Sequence, residues 1–267
     1  MPFATVRGAR LHYTESGSGP AVVFSHGLFW SGRMFAPQIE ALRGRYRCIA
    51  FDHRGQGQSE VTTAGYEMDA LAEDAAGLLA QLGAERCHWV GLSMGGFVGM
   101  RLAARRPGLL RSLALLNTAA DVEPRSSAFK YRVLGQIARV AGLRPFMGTA
   151  MNAMFGRAFL EDPARREQRQ ALHDQLAAIP LDGAIRSLLA VAARAGVEDE
   201  LARIDIPTLV IAGEQDVSVS PARAQRTATK IAGAQFQLVP HAGHSSTLEE
   251  PEAVSSALRA FLEKLAM

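Results

Sequence analysis

Short apolar runs alternate with longer stretches of helical periodicity along most of this chain. The runs cover residues 3–6, 11–13, 21–25, 47–51, 87–90, 113–116, 208–212 and 236–239, and helical patterns cover 68–82, 94–105, 221–231 and 252–265. Such alternation is typical of a mostly parallel sheet with helices packed on its faces, because each parallel connection needs a crossover element. The pattern therefore predicts an α/β fold that opens with a small hairpin turned at Gly8.

One long stretch interrupts the alternation. Residues 121–200 contain no good strand, only helical segments broken by prolines. A connection between two neighbouring strands needs far fewer residues than these roughly 80. We therefore expect residues 1–120 and 201–267 to form the two parts of one α/β core, and residues 121–200 to form a helical cap inserted into it.

Composition excludes several classes of protein. Hydrophobic residues make up 48% and charged residues 21% of the 267 positions, which excludes an extended disordered chain. The net charge of +3 comes from basic residues spread along the whole chain, so we expect no nucleic-acid partner. Cys48 and Cys87 lie in predicted strands, where we expect buried free thiols.

The N-terminus argues against export and membrane insertion. Arg7 and Arg10 stand where a signal peptide would need an apolar core, and no uncharged apolar run approaches the length of a membrane helix. We therefore expect a cytoplasmic protein with no membrane partner. Its oligomeric state does not follow from these patterns.

A G-x-S-x-G motif spans residues 91–95, directly between a predicted strand and a predicted helix. In such a nucleophile elbow the serine adopts a strained backbone conformation, and its hydroxyl projects out of the sheet. The N-terminus of the following helix favours developing negative charge. Ser93 is therefore the candidate nucleophile, and the alternative is a glycine-rich turn with an idle serine.

A serine nucleophile needs a histidine to take its proton, and a carboxylate then fixes the imidazole tautomer. Asp216 follows strand 208–212 and His244 follows strand 236–239, both at the sheet edge where sites form in open α/β folds. We expect Asp216 to be the acid and His244 the base. Two alternatives stay open, namely His241 as the base and either Asp121 or Glu123 as the acid.

Backbone N–H groups are expected to stabilise the oxyanion. One donor is Met94, the residue after the nucleophile. The other lies in the loop after strand 21–25, where Leu28 is the first choice and Phe29 the second. We expect His26 to brace this loop rather than to act as a base.

Together the motifs resemble those of α/β-hydrolases of the cap-bearing esterase and lactonase type. The matching stretches are residues 26–27, 52–59, 91–96, 213–216, 243–244 and 250–251. The resemblance implies a mostly parallel eight-stranded sheet flanked by helices, with an inserted helical cap. Within the family the chain is similar to 3-oxoadipate enol-lactonases and related carboxylesterases. Epoxide hydrolases and haloalkane dehalogenases carry aspartate at the elbow, so Ser93 argues against both.

The sequence thus predicts a serine hydrolase that cleaves a small or medium carboxylic ester or lactone through an acyl-enzyme, without a cofactor or a metal. The alternatives are a carbon–carbon bond hydrolase or a cofactor-free perhydrolase with the same triad, and a non-catalytic ligand receptor on this scaffold. We expect the substrate pocket to be lined by Phe29, Trp30, Met147, Met151 and Phe155.

Several arginines of the predicted cap form a further candidate feature, namely Arg157, Arg165, Arg166 and Arg169. They have the chemistry to hold a substrate carboxylate, as an oxoadipate-type ligand would need. The simpler interpretation is a solvated cationic face.

Overall fold

A single eight-stranded sheet organises the chain, and the computed structural model describes residues 2–266 of it. The strands are β1 (Phe3–Val6), β2 (Ala9–Ser16), β3 (Ala21–Ser25), β4 (Arg47–Phe51), β5 (Cys87–Leu92), β6 (Leu110–Leu116), β7 (Thr208–Gly213) and β8 (Gln235–Val239). Their order across the sheet is β1-β2-β4-β3-β5-β6-β7-β8. Only the β1–β2 and β2–β4 pairs are antiparallel, so the predicted mostly parallel sheet is confirmed.

Helices fill the connections between the parallel strands, and two more follow the last strand. They are α1 (Ala36–Leu42), α2 (Met68–Gln81), α3 (Met94–Arg105), α4 (Arg125–Ala141), α5 (Met147–Met154), α6 (Arg157–Glu161), α7 (Arg166–Ala177), α8 (Leu181–Ala192), α9 (Pro221–Thr229), α10 (Ser246–Glu249) and α11 (Pro251–Ala266). Helices α4 to α8 all lie between β6 and β7, within the stretch 121–200 that the sequence singles out. We call residues 121–200 the helical segment.

The sheet separates two apolar layers because side chains alternate between its faces. In β3, Val23 packs with α2 and α3 in one core cluster, whereas its neighbours Val22 and Phe24 pack with α1 and α11 in the other. Strands that are buried on both faces need apolar side chains at nearly every position. This is why β3 to β7 are mostly apolar in the sequence.

The opening hairpin turns on two residues. Val6 pairs with Ala9, so Arg7 and Gly8 form the loop, with φ angles of 47° and 75°. Positive φ at both central residues is the type I′ geometry that matches the twist of the flanking strands. The turn predicted at Gly8 is confirmed.

The structure extends several predicted elements and adds two. β2 runs over residues 9–16 instead of 11–13, because its main chain pairs with β1 on one side and with β4 on the other, whatever the polarity of its side chains. α1 and α10 have no counterpart among the predicted helices. They are only seven and four residues long, too short for a clear helical period.

The strand order reverses between β3 and β5, and ligands bind at such switch points in open α/β sheets. Ser25 at the end of β3 pairs with Gly91 near the end of β5. The loops that follow these two strands therefore start side by side at the same edge of the sheet.

Within residues 2–266, no helix by itself is both long and apolar enough to cross a membrane. The pair Pro163–Ala177 and Leu181–Ala192 reaches that length and composition only jointly, across a bend of 92°.

Candidate active site

Ser93 lies at the sharp turn between β5 and α3. Its backbone has φ 50° and ψ −110°, outside the regions that ordinary residues occupy. The Ser93 N–H donates to the Leu116 carbonyl at 2.9 Å, and the Thr118 hydroxyl donates to the Ser93 carbonyl at 2.9 Å, so the strained turn is held from β6. Gly95 is required beside it, because a Cβ there would lie 1.9 Å from the Ser25 carbonyl oxygen.

His244 and Asp216 meet Ser93 from the two loops that follow β8 and β7. The Ser93 hydroxyl lies 2.9 Å from His244 Nε2, and His244 Nδ1 lies 2.8 Å from Asp216 Oδ2. All three side chains are buried. The arrangement allows Ser93 to donate its proton to an imidazole whose other nitrogen is fixed by a carboxylate.

The charge of Asp216 sets the protonation behaviour of His244. Burial lowers the pKa of the imidazole, but the Asp216 charge and hydrogen bond, together with the charges of Glu249 and Glu123, raise the pKa of His244 above its ordinary 6.5. An imidazolium that forms during reaction is therefore stabilised by its carboxylate neighbour.

Asp216 is itself held by backbone and side-chain donors. Its Oδ1 accepts hydrogen bonds of 2.9 Å from the N–H groups of Ser218 and Val219. Its Oδ2, which faces His244, also accepts a bond of 3.0 Å from the Asn117 amide. These three donors fix both oxygens of the carboxylate and hence the direction in which it presents itself to His244.

Asn117 was missed by the sequence reasoning. It follows β6 with φ 49°, and its amide nitrogen also donates to the Gly243 carbonyl at 3.0 Å. Its amide oxygen accepts a hydrogen bond from the Ser246 hydroxyl at 2.6 Å. One side chain thus ties Asp216 to the His244 loop. The available signal was an asparagine directly after a predicted strand, at the edge where Ser93 lies.

The backbone N–H groups of Leu28 and Met94, the two expected oxyanion donors, have no hydrogen-bond partner within residues 2–266. The Phe29 N–H, in contrast, donates to Gln56 Oε1 at 2.7 Å. Phe29 has a φ of 69°, a backbone conformation that residues other than glycine rarely adopt, and the bond to Gln56 holds it there. Because the Phe29 N–H already donates to Gln56, Leu28 is favoured over Phe29 as the oxyanion donor from this loop.

The residues considered as the alternative acid or base make other contacts. Asp121 pairs with Arg223 at 2.6 Å, and Glu123 pairs with Arg194 at 2.7 Å. His241 is exposed, and its backbone N–H donates to the Glu214 carboxylate at 3.1 Å.

His26 makes the kind of bracing contact expected of it. Its Nε2 accepts the His53 backbone N–H at 2.9 Å, and its Nδ1 lies 2.7 Å from the Gly27 carbonyl. Burial lowers the pKa of His26, so the neutral ring fits this loop.

A cavity of about 160 Å³ opens beside Ser93 and His244, between the sheet edge and the helical segment. Of the five expected lining residues, the structure brings Phe29 and Met147 to this cavity. Trp30, Met151 and Phe155 do not line it. They pack instead in the apolar layer between the core and the helical segment, where the Trp30 and Phe155 rings lie 6.0 Å apart.

The four arginines of the helical segment do not line the cavity either. Arg165 bonds Glu250 at 3.3 Å, Arg169 bonds the carbonyls of Phe159 and Asp162, and the Arg157 side chain is 82% exposed beside Glu161. Arg166 is exposed on α7. Helical periodicity alone could not exclude a substrate contact for these residues.

Glu249 is a second residue that sequence reasoning missed. Its fully buried carboxylate accepts hydrogen bonds from the backbone N–H groups of Gly156, Gly243 and Ser245, at 2.7, 2.9 and 3.0 Å. Burial raises the pKa of Glu249 to about 7, against the lowering effect of these donors. Gly156 and Gly243 are in such close contact that a Cβ on Gly243 would lie 2.1 Å from the Gly156 nitrogen.

Comparison with known proteins gives the same fold. The family model described as alpha/beta hydrolase fold matches residues 20–251. The chain is 32% identical to 3-oxoadipate enol-lactonase 2 of Acinetobacter baylyi over 262 residues, which cover 97% of this chain and 96% of the relative.

Solved structures agree closely with this one over their whole length. A thermophilic esterase of Thermogutta terrifontis superposes with a TM-score of 0.92 at 28% identity, covering 100% of this chain and 99% of that one. The enol-lactonase of Burkholderia xenovorans gives a TM-score of 0.91 at 30% identity, covering 98% and 100%. These matches agree with the sheet order and with the serine at the turn after β5. The chain therefore belongs to the alpha/beta hydrolase family of enzymes.

Proposed function

We propose that this protein is a serine hydrolase that cleaves small or medium carboxylic esters or lactones through an acyl-enzyme. The observation that carries the proposal is the continuous hydrogen-bond chain from Asp216 through His244 to Ser93, with links of 2.8 and 2.9 Å. Relatives named as an esterase and as enol-lactonases support the same reaction class.

In the first half-reaction the Ser93 hydroxyl oxygen attacks the substrate carbonyl carbon while His244 Nε2 takes its proton. The negative charge that forms on the carbonyl oxygen is stabilised by the N–H groups of Leu28 and Met94. Collapse of this intermediate breaks the bond to the leaving alkoxide, which receives the proton from His244. Asp216 holds the imidazole in the required tautomer throughout.

In the second half-reaction water replaces the alcohol. His244 accepts a proton from water, the resulting hydroxide attacks the acyl carbon, and the proton returns to Ser93 as its bond to the acyl group breaks. For a lactone the same sequence opens the ring, and the alcohol stays attached to the acid. The helical segment serves as a cap over the acyl group, and the cytoplasmic location remains a prediction from the sequence.

A fluorophosphonate probe tests the proposal directly, because it reacts covalently with an activated serine. We expect one label per chain, on Ser93, and none in Ser93→Ala. Ser218→Ala is the matched control, since the Ser218 hydroxyl also borders the cavity but is bonded to the Ala153 carbonyl at 2.8 Å. Stoichiometric labelling of another serine, with activity retained in Ser93→Ala, would overturn the proposal.

A panel of p-nitrophenyl esters and lactones then separates catalysis from simple binding. We expect Ser93→Ala to lower kcat by about 10⁴- to 10⁶-fold, as in other serine triads. A wild-type protein that binds these compounds without turnover would instead be a ligand receptor.

A further inference from the structure

The cavity beside Ser93 is apolar over most of its wall. Apolar side chains from the helical segment, including Leu134, Met147, Ile185 and Leu188, face Phe29 and Phe97 of the core. Among the described residues that line the cavity, none is a lysine or an arginine, and the only ionisable groups besides Tyr131 are His244 and Glu123. His244 belongs to the site already described, so Glu123 is the one charged group without a role.

Glu123 is buried at this wall with a fixed partner. Its Oε2 accepts a hydrogen bond of 2.7 Å from Arg194, and the two side chains are only 8% and 2% exposed. Arg194 does not border the cavity. Its guanidinium stacks on the Phe97 ring at 4.1 Å and donates to the carbonyls of Val191 and Asp121 at 3.1 Å. A group inside the cavity therefore meets the carboxylate and not the cation.

From this we infer that the cavity is a binding site for neutral, apolar acyl groups, and that Glu123 excludes acyl groups that carry a free carboxylate. The inference rests on the proposed ester hydrolysis and adds the chemical class of substrate. A substrate carboxylate in this cavity would lose its hydration without gaining a cation and would face a like charge on Glu123. A neutral chain gains about fourfold in binding for each methylene that it buries.

Three esters with the same six-carbon acyl chain isolate the effect of charge: p-nitrophenyl hexanoate, its hydroxyl-terminated analogue p-nitrophenyl 6-hydroxyhexanoate, and mono-p-nitrophenyl adipate. At neutral pH only the adipate ester carries a carboxylate at the chain end. We expect kcat/KM for the hexanoate ester to exceed that for the adipate ester by about 100-fold or more, with the hydroxyl analogue in between. Equal rates for the hexanoate and adipate esters would overturn the inference and leave the proposed hydrolase standing.

Glu123→Gln tests the assigned residue, because it removes the charge from the wall and leaves Arg194 in place. We expect the hexanoate-to-adipate ratio to fall at least tenfold, mainly through faster hydrolysis of the adipate ester. Asp121→Asn is the matched control, since Asp121 pairs with Arg223 and does not border the cavity. The hexanoate-to-adipate ratio of Asp121→Asn should equal that of the wild type.

The possible results are distinguishable. A high wild-type ratio that Glu123→Gln leaves unchanged would overturn the role of Glu123. If Glu123→Gln does not fold, the wild-type ratio across the three esters still decides whether charged acyl groups are excluded. Failure of the wild type to hydrolyse any of the three esters, together with no fluorophosphonate labelling, would overturn the proposed function itself.

Discussion

The buried carboxylate of Glu249 accepts a hydrogen bond of 2.7 Å from the backbone N–H of Gly156, which lies between α5 and α6 of the helical segment. The same oxygen accepts the Gly243 N–H, next to His244. One side chain therefore joins the helical segment to the loop that carries the candidate base. The Ser245 N–H donates to the Met154 carbonyl at 2.9 Å and strengthens this junction.

We expect Glu249→Ala to lower the free energy of unfolding by about 3 kcal/mol or more, because it leaves the buried N–H groups of Gly156 and Gly243 without an acceptor. Urea denaturation measures the change. Glu250→Ala is the control, since Glu250 is partly exposed and bonds Arg165 at 3.3 Å, a kind of pair that contributes about 0–1 kcal/mol. Equal losses in the two variants would contradict the role given to Glu249.

The raised pKa of Glu249 also predicts a pH dependence of stability. Because the folded pKa of about 7 exceeds the ordinary 4.5, the folded state binds more protons than the unfolded state between these values. The free energy of unfolding should therefore fall as the pH rises from about 4.5 to about 7. Glu249→Gln, which cannot ionise, should show a flatter profile in this window, and urea titrations at several pH values measure it. A profile as steep as that of the wild type would argue against ionisation of Glu249.

For Asp216→Asn we expect kcat to fall by about 10²- to 10⁴-fold, because the amide favours the wrong tautomer of His244. The wild-type rate should rise with pH as His244 loses its proton, through a pKa above 6.5. Loss of the Asp216 charge should move that kinetic pKa down, which pH–rate profiles detect. If Asp121→Asn or Glu123→Gln causes this loss of kcat and Asp216→Asn does not, the acid has been assigned to the wrong loop.

Asn117 is expected to act as a positioning residue through Asp216 and the His244 loop. Its φ of 49° would strain alanine, so Asn117→Gly is the better variant. We expect kcat to fall about tenfold or more, since a hydrogen bond to a charged group contributes about 1.5–3 kcal/mol. KM should change little, because Asn117 does not line the cavity. Asn152→Ala, on the exposed face of α5, serves as the control; a rise in KM at constant kcat would contradict this role.

The cavity should set the preferred acyl length. Its volume of about 160 Å³ resembles that of a cavity able to hold one benzene ring, so the optimum should lie near six carbon atoms. Met147→Ala should shift this optimum to longer chains, because Met147 lines the cavity. Met151→Ala is the matched control, and it should destabilise the protein by about 2–5 kcal/mol without changing the chain-length profile. Rates for p-nitrophenyl esters of increasing acyl length, together with melting curves, distinguish the effects of the two variants. Identical chain-length profiles for Met147→Ala and the wild type would contradict the assignment of Met147.

Local pattern was sufficient for most of the fold. The buried strands β3 to β7 need apolar residues on both faces, and the helices between them need one apolar stripe, so both leave periodic traces in the sequence. The antiparallel strand β2 and the short helices α1 and α10 leave weaker traces. Their extent depends on main-chain pairing and on packing against distant parts of the chain.

The sequence by itself also determined where Ser93, Asp216 and His244 lie, because each follows a strand and the carboxyl ends of parallel strands share one edge. The tertiary structure alone decided which side chains surround them. No local pattern marks Asn117, Gln56 and Glu249, since each acts through contacts between separate parts of the chain. Their partners Asp216, Phe29 and Gly156 lie 99, 27 and 93 positions away. The wall of the cavity was also decided by the tertiary structure. The spacing of Met147 and Met151 places both on one helical face, yet of these two only Met147 borders the cavity. Neighbouring helices decide which part of that face is covered.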